Sequence, residues 1–156
     1  MTARLWRRWM AAGLLSLMPA LASAEVIVDC AEWVGADTLV EPWEETSRTL
    51  SRGSVRLALV NLDEPECCPF HFAVLIPANM YGGRSCFLVG RSTLLPNGWS
   101  RVGLDEAEAS RDDTPGLRVT VPVYGLDPLT GGADPDNQRV LTLRIRQAAG
   151  TVELER

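Results

Sequence analysis

Positive charge is scarce in this sequence and of one kind. All 15 basic residues are arginine, lysine is absent, and 20 carboxylates outnumber them for a formal net charge of −5. The missing lysine carries no functional weight, because a GC-rich coding sequence produces it as readily as any physical demand. The deficit of positive charge does carry weight: a chain so balanced argues against binding nucleic acid or an anionic lipid surface. Histidine occurs once, at His71. The C-x-x-C pair of thiol-disulfide oxidoreductases is missing, as are G-x-S-x-G and any nucleotide-binding motif. Past the first two dozen residues no apolar stretch has membrane-spanning length, and the longest, residues 72–77, is strand-sized. Internal repeats and low-complexity tracts are also lacking.

What is present begins with an address. Residues 1–24 carry three arginines (Arg4, Arg7, Arg8), an apolar core over residues 10–21 and the small-residue ending Ala22, Ser23, Ala24. This is the layout of a secretory signal peptide that is removed on export. Arg7 and Arg8 lack the Ser/Thr before and the Phe-Leu after that mark folded export, so an unfolded chain is expected to cross. No cysteine follows Ala24, so no lipid attachment is expected there. Cleavage would leave residues 25–156 as a single domain, with 12 arginines against 20 carboxylates and a formal charge of −8. The 132 remaining residues suffice for one hydrophobic core. The expected location is the periplasm or the extracellular medium, without stable membrane insertion.

Short runs of β-branched and aromatic residues, broken by Gly, Pro and Asn, predict an all-β fold: an antiparallel sandwich of seven or eight short strands. Runs fall at residues 26–30, 55–62, 72–76, 86–90 and near 99–104, with an acidic, irregular stretch over 33–52. In the second run Val55, Leu57 and Leu59 share one face while Arg56 and Ala58 take the other. Residues 117–124 alternate cleanly, and Pro122 within them predicts an edge strand or a bulge, since proline cannot donate to a ladder. Residues 105–111 read as two helical turns capped by Asp105 or as a strand pointing Ala107 and Ala109 inward; the strand is the expectation. Residues 125–138, rich in Gly, Pro and Asp, read as a 14-residue loop. At the C-terminus a four-residue turn over 147–150 sets Arg146 opposite Thr151, Ile145 opposite Val152, Arg144 opposite Glu153 and Leu143 opposite Leu154. Apolar pairs then fall on one face and the Arg144/Glu153 charges on the other, a register that a one-residue slip would destroy.

Four cysteines, Cys30, Cys67, Cys68 and Cys86, predict two structural disulfides in an oxidising compartment. A bond between the neighbours Cys67 and Cys68 would strain the backbone, so the expected pairing joins Cys86 to one of them and Cys30 to the other. That choice has a topological price. If residues 72–76 and 86–90 formed a simple hairpin, Cys86 would lie near Ile76 and roughly 26 Å from Cys68, far beyond the Cα separation of about 7 Å that a disulfide allows. Either the two strands are not hairpin partners, or Cys86 pairs with Cys30 and the neighbours with each other. The first alternative is the expectation, with residues 77–85 crossing between sheets.

The same segment offers an alternative chemistry. Cys67, Cys68, His71 and Cys86 supply the residue types of a Cys₃His metal site, and a free thiolate beside His71 would be a nucleophile. Both need reduced thiols, which export disfavours. Asp127, Asp134 and Asp136 have the oxygen chemistry for calcium but not the EF-hand spacing, and Asp105, Glu106 and Glu108 read as a solvated patch. Trp33 and Trp43 flank acidic residues Glu32, Asp37, Glu41, Glu44 and Glu45, and form either a recognition surface or a cover over the open end of the sandwich. These features predict a non-enzymatic binding or protein-interaction module with no cofactor, whose negative charge suits a basic envelope or extracellular protein; a metal-binding protein is the alternative, and a hydrolase is a weaker third option.

Overall fold

The computed structural model describes residues 25–63, 67–78, 82–91 and 97–155. The expected signal peptide, residues 1–24, lies outside them. Ten strands follow in chain order: β1 (Val26–Asp29), β2 (Ser47–Leu50), β3 (Val55–Asn61), β4 (Phe70–Pro77), β5 (Arg84–Gly90), β6 (Arg101–Val102), β7 (Glu108–Ser110), β8 (Leu117–Leu126), β9 (Ala133–Arg146) and β10 (Thr151–Glu155). They form two antiparallel five-stranded sheets, packed as an open sandwich. The first has the order β1-β5-β4-β3-β2, and the second runs β10-β9-β8 with both β6 and β7 pairing along the far side of β8. The count exceeds seven or eight because β2 lies in the acidic stretch that lacks a strand pattern, and because β6 and β7 are separate short pieces.

Alternation decides which side chains meet between the sheets. Val55 and Leu57 on β3, with Phe72, Val74 and Ile76 on β4, face Val119, Val121 and Val123 on β8 and Leu141, Leu143 and Ile145 on β9. Trp99 closes this core and pairs by backbone with Phe70, which joins the segment before β6 to β4. The intervening residues of the first sheet are also apolar. Ala58, Val60, Ala73 and Leu88 form a second, smaller core on its outer face. That is why residues 72–76 read as an unbroken apolar run: β4 is buried on both sides.

β1 and β2 lie at opposite edges of their sheet, so the chain between them must cross its outer face. It leaves β1 through a 3₁₀ turn (Cys30–Glu32), reaches the β3 edge where Leu39 bridges Val60, and makes one helical turn (Trp43–Thr46) before β2. Trp33, Val34, Leu39 and Trp43 of this flap pack onto the second core.

Three expectations are corrected. β4 and β5 are direct hairpin partners, with Leu75 opposite Cys86 and Pro77 opposite Arg84, so residues 77–85 turn within one sheet. The disulfides are accordingly Cys30–Cys86 and Cys67–Cys68. Cys30 stands one step beyond the Asp29/Phe87 pair of the β1–β5 register, directly beside Cys86. Cys68 takes a left-handed backbone, φ 69°, and the fold accommodates it. The 14-residue loop over 125–138 does not exist as such: β8 and β9 continue to Leu126 and Ala133, leaving a six-residue turn. The Asp127 carboxylate accepts the Leu129 N–H at 2.8 Å and the Thr130 hydroxyl at 2.7 Å, which closes that turn with Asp127's own chain.

Pro122 is not on an edge. β8 lies inside its sheet, and its bulge falls later, between Tyr124 and Leu126. Pro122 is tolerated because the neighbouring edge is interrupted opposite it: β6 ends at Val102, β7 begins at Glu108, and Gly103 donates its N–H to the Pro122 carbonyl at 2.8 Å. Within residues 105–111, only 108–110 are strand; Ala107 is buried and Ala109 is exposed. The C-terminal hairpin has the expected register at all four pairs.

Candidate functional site

The cysteine–histidine segment is not drawn into one cluster. His71 sits on β4 with no solvent exposure, its Nδ1 3.0 Å from the Pro69 carbonyl oxygen, a contact in which Nδ1–H donates. Its ring is tilted against Trp99 at a centroid distance of 6.3 Å. Gly98 is required here, because a Cβ would lie 2.2 Å from the Phe70 carbonyl oxygen and 2.7 Å from His71 Cε1. Cys86 pairs with Leu75, four residues along β4 from His71 and therefore about 13 Å away. All four sulfurs are in disulfides. Among the described residues no group of three or more His, Cys, Asp or Glu side chains is placed to hold a metal ion.

Trp33 and Trp43 lie in the flap over the first sheet rather than at an open end of the sandwich. Both are half-buried against the second core, and the Arg56 guanidinium stands over the Trp43 ring at 5.5 Å. Cys30–Cys86 fixes the start of the flap to β5. Backbone bonds fix its middle, with Val40 N–H donating to Leu59 at 3.2 Å and Asn61 N–H to Thr38 at 2.8 Å. Around the two rings Glu32, Asp37, Glu41, Glu44 and Glu45 are all exposed. None of the five forms an ion pair with a described residue.

On the second sheet several carboxylates are engaged by arginines. Arg144, only 4% exposed, lies on the outer face of the second sheet directly across from Arg118. Two arginines face to face repel, and acids offset the repulsion. Asp112 grips Arg144 through two bonds of 2.8 Å, and Glu155 accepts from Arg144 at 2.6 Å and from Arg118 at 3.2 Å. The Arg144 guanidinium, helped by the Thr114 N–H, holds the Asp112 carboxyl at about 2. The same guanidinium lowers Glu155, against the opposing effect of desolvation. The sequence pattern sets Arg144 against Glu153, yet Glu153 pairs diagonally with Arg146 at 2.6 Å and Arg144 with Glu155. Each long side chain reaches the residue two beyond its direct partner, as a twisted ladder permits.

A second polar cluster joins β8 to the turn after β6. The Tyr124 hydroxyl donates to Glu106 at 2.9 Å, Gln138 donates to Tyr124 at 3.1 Å, and Arg101 pairs with Glu106 at 2.5 Å while lying 4.7 Å over the Tyr124 ring. Burial and the bond to Glu106 push the phenol upward. Asp105, Glu106 and Glu108 are all exposed, as a solvated patch requires, and Glu106 is in addition a structural partner of Tyr124 and Arg101. Nothing in the spacing of residues 101, 106, 124 and 138 reveals this cluster, because a sheet pairing and a turn bring them together.

Comparisons with protein-family models, curated proteins and solved structures find no match. The class of the protein therefore rests on its own architecture, a disulfide-bonded antiparallel sandwich with an acidic, tryptophan-bearing flap.

Proposed function

We propose that this protein is an exported, non-enzymatic binding module whose flap, residues 31–46, takes up a basic protein of the cell envelope or the extracellular medium. One observation carries the reading: five exposed carboxylates that form no ion pair among the described residues surround two half-buried tryptophans, on a segment fixed at its start by a disulfide and at its middle by backbone bonds. Acids without an ion pair also occur elsewhere, at Glu108, Asp113, Asp134 and Asp136, so what sets the flap apart is the company of its acids: five of them around two half-buried tryptophans. Aromatic rings beside solvated charge suit a partner presenting arginine or lysine, through cation–π contact and electrostatic steering. The burial of His71 and the closure of all four cysteines support a role without nucleophilic or metal chemistry.

The test is affinity capture from an envelope extract with the oxidised mature chain. At low ionic strength one or a few cationic proteins should be recovered reproducibly and should be lost at high salt, where charge steering is screened over about 3 Å at 1 M. Recovery of nothing at low salt, or of a set indifferent to salt, would contradict the reading.

A further inference from the structure

At the end of β2 that leads away from the flap, one end of the sandwich gathers the β2–β3 turn, the segment between β7 and β8, and the β9–β10 turn around a cleft of about 610 Å³. Its lining includes Arg52, Arg111, Ser51, Ser54, Ser110 and Gln147, and it includes no carboxylate. Gln147 donates to the Ser54 hydroxyl at 2.7 Å, tying the two sheets together at the floor, and Ser54 donates onward to the Ser51 carbonyl at 2.8 Å. Ser51 and Arg52 are both held in the left-handed region, φ 49° and 57°, so the Arg52 position is set by the turn. An adjoining cleft of about 350 Å³ shares Arg111, Leu117 and Gln147 and adds Pro115, Ala148 and Ala149 beside Arg146, whose charge is matched by Glu153, a largely apolar extension of the same hollow.

Most of the acids around this end are engaged, although Glu108 and Asp113 are exposed and form no ion pair among the described residues. Asp112 and Glu155 are taken by Arg144, and Glu153 by Arg146. Arg52 and Arg111 form no ion pair among the described residues. In a chain of net charge −5, two arginines without an ion pair among the described residues that line one cleft with three serines are not a by-product of overall basicity. At physiological ionic strength charges beyond about 8 Å are screened, so the cleft's own lining, with two arginines and no carboxylate, sets what it attracts against the nearby Glu108 and Asp113. Guanidinium forks bind planar or tetrahedral oxyanions through paired N–H donors, and the volume matches a small-molecule site.

We infer that this cleft is a binding site for a small organic anion, a phosphate ester or carboxylate held by Arg52 and Arg111, with an apolar group seated against Leu117, Pro115 and the β9–β10 turn.

Phenyl phosphate, phenylacetate, inorganic phosphate and benzyl alcohol, titrated separately into the isotopically labelled, oxidised mature chain, separate the contributions by amide chemical shifts. Phenyl phosphate or phenylacetate should give saturable shifts at residues 51–54, 109–111 and 147, with a dissociation constant of about 1 mM or tighter. The better of the two identifies the oxyanion. Inorganic phosphate should bind more weakly than phenyl phosphate, and benzyl alcohol should leave these amides unmoved. Arg52→Gly, which keeps the left-handed backbone, and Arg111→Gln should each weaken binding roughly fivefold, the loss of a charge-assisted contact, while amides elsewhere stay in place. Absence of saturable shifts with both aromatic anions, equal binding of benzyl alcohol or of inorganic phosphate, or unchanged affinity in both variants would overturn the assignment.

Discussion

Arg144 shows most sharply how a single side chain is positioned by partners that sequence adjacency does not reveal. It is nearly inaccessible, faces another arginine across the ladder, and depends on Asp112 and Glu155 from two different segments. Removing the guanidinium would leave the two acids without their common partner, so Arg144→Met should lower the thermal midpoint by about 10 °C, with Arg144→Lys recovering part of the loss. A melt unchanged in Arg144→Met would mean the cluster is decorative. Its pH dependence follows in sign. Asp112 titrates at about 2 in the folded protein, below its ordinary value of 3.8. Its contribution is therefore complete above that ordinary value and is lost as pH falls through about 2. Urea midpoints should show Asp112→Asn less stable than wild type from neutral pH down to about pH 4, with the gap closing toward pH 2; a gap independent of pH would exclude the ionic role. The pattern reading placed Arg144 on the outer face opposite Glu153, and the register has that pair; the ion pair runs instead to Glu155, because period-two alternation names the direct neighbour and the twist delivers the diagonal one.

Among the elements, the C-terminal hairpin was legible because turn, apolar pairing and charge all specify one register, and β9 and β10 have it. The β4–β5 hairpin was not, although the geometry had already reduced the problem to two alternatives. Excluding a bond between adjacent cysteines on grounds of strain forced the wrong topology. One left-handed residue such as Cys68 costs about 1–2 kcal/mol. Closing the 56-residue separation between Cys30 and Cys86 restricts the unfolded chain by about 4 kcal/mol in the loop-entropy treatment. The two bridges should consequently differ in worth: replacing Cys30 and Cys86 together by alanine should cost about 4 kcal/mol, whereas the same change at Cys67 and Cys68, which close almost no loop, should cost under about 1 kcal/mol by that treatment. Denaturant midpoints check this, and equal losses would contradict it. β2 and the long β8–β9 ladder escaped the sequence reading for a related reason. Polar edge segments such as residues 133–140 lack the alternation that burial on one face imposes, and the backbone pairing of β8 holds them instead.

At the scale of the whole molecule, charge is distributed unevenly: paired over the outer face of the second sheet, unpaired and negative on the flap, unpaired and positive in the end cleft. Sequence composition gave only the negative sum, and the acidic, tryptophan-flanked stretch was visible before its crossing path was. The cleft was not, since Arg52, Arg111 and Gln147 come from three connections that only the sandwich brings together. The flap reading is tested most directly by moving the missing charge while holding its amount constant. One bait carries Glu32→Gln, Asp37→Asn, Glu41→Gln, Glu44→Gln and Glu45→Gln; another loses five exposed or half-exposed acids elsewhere through Asp105→Asn, Glu108→Gln, Asp113→Asn, Asp134→Asn and Asp136→Asn. The account predicts that capture of cationic envelope proteins at low salt disappears with the first bait and persists with the second. Equal capture by both, or equal loss from both, would show that net charge and not the flap governs association.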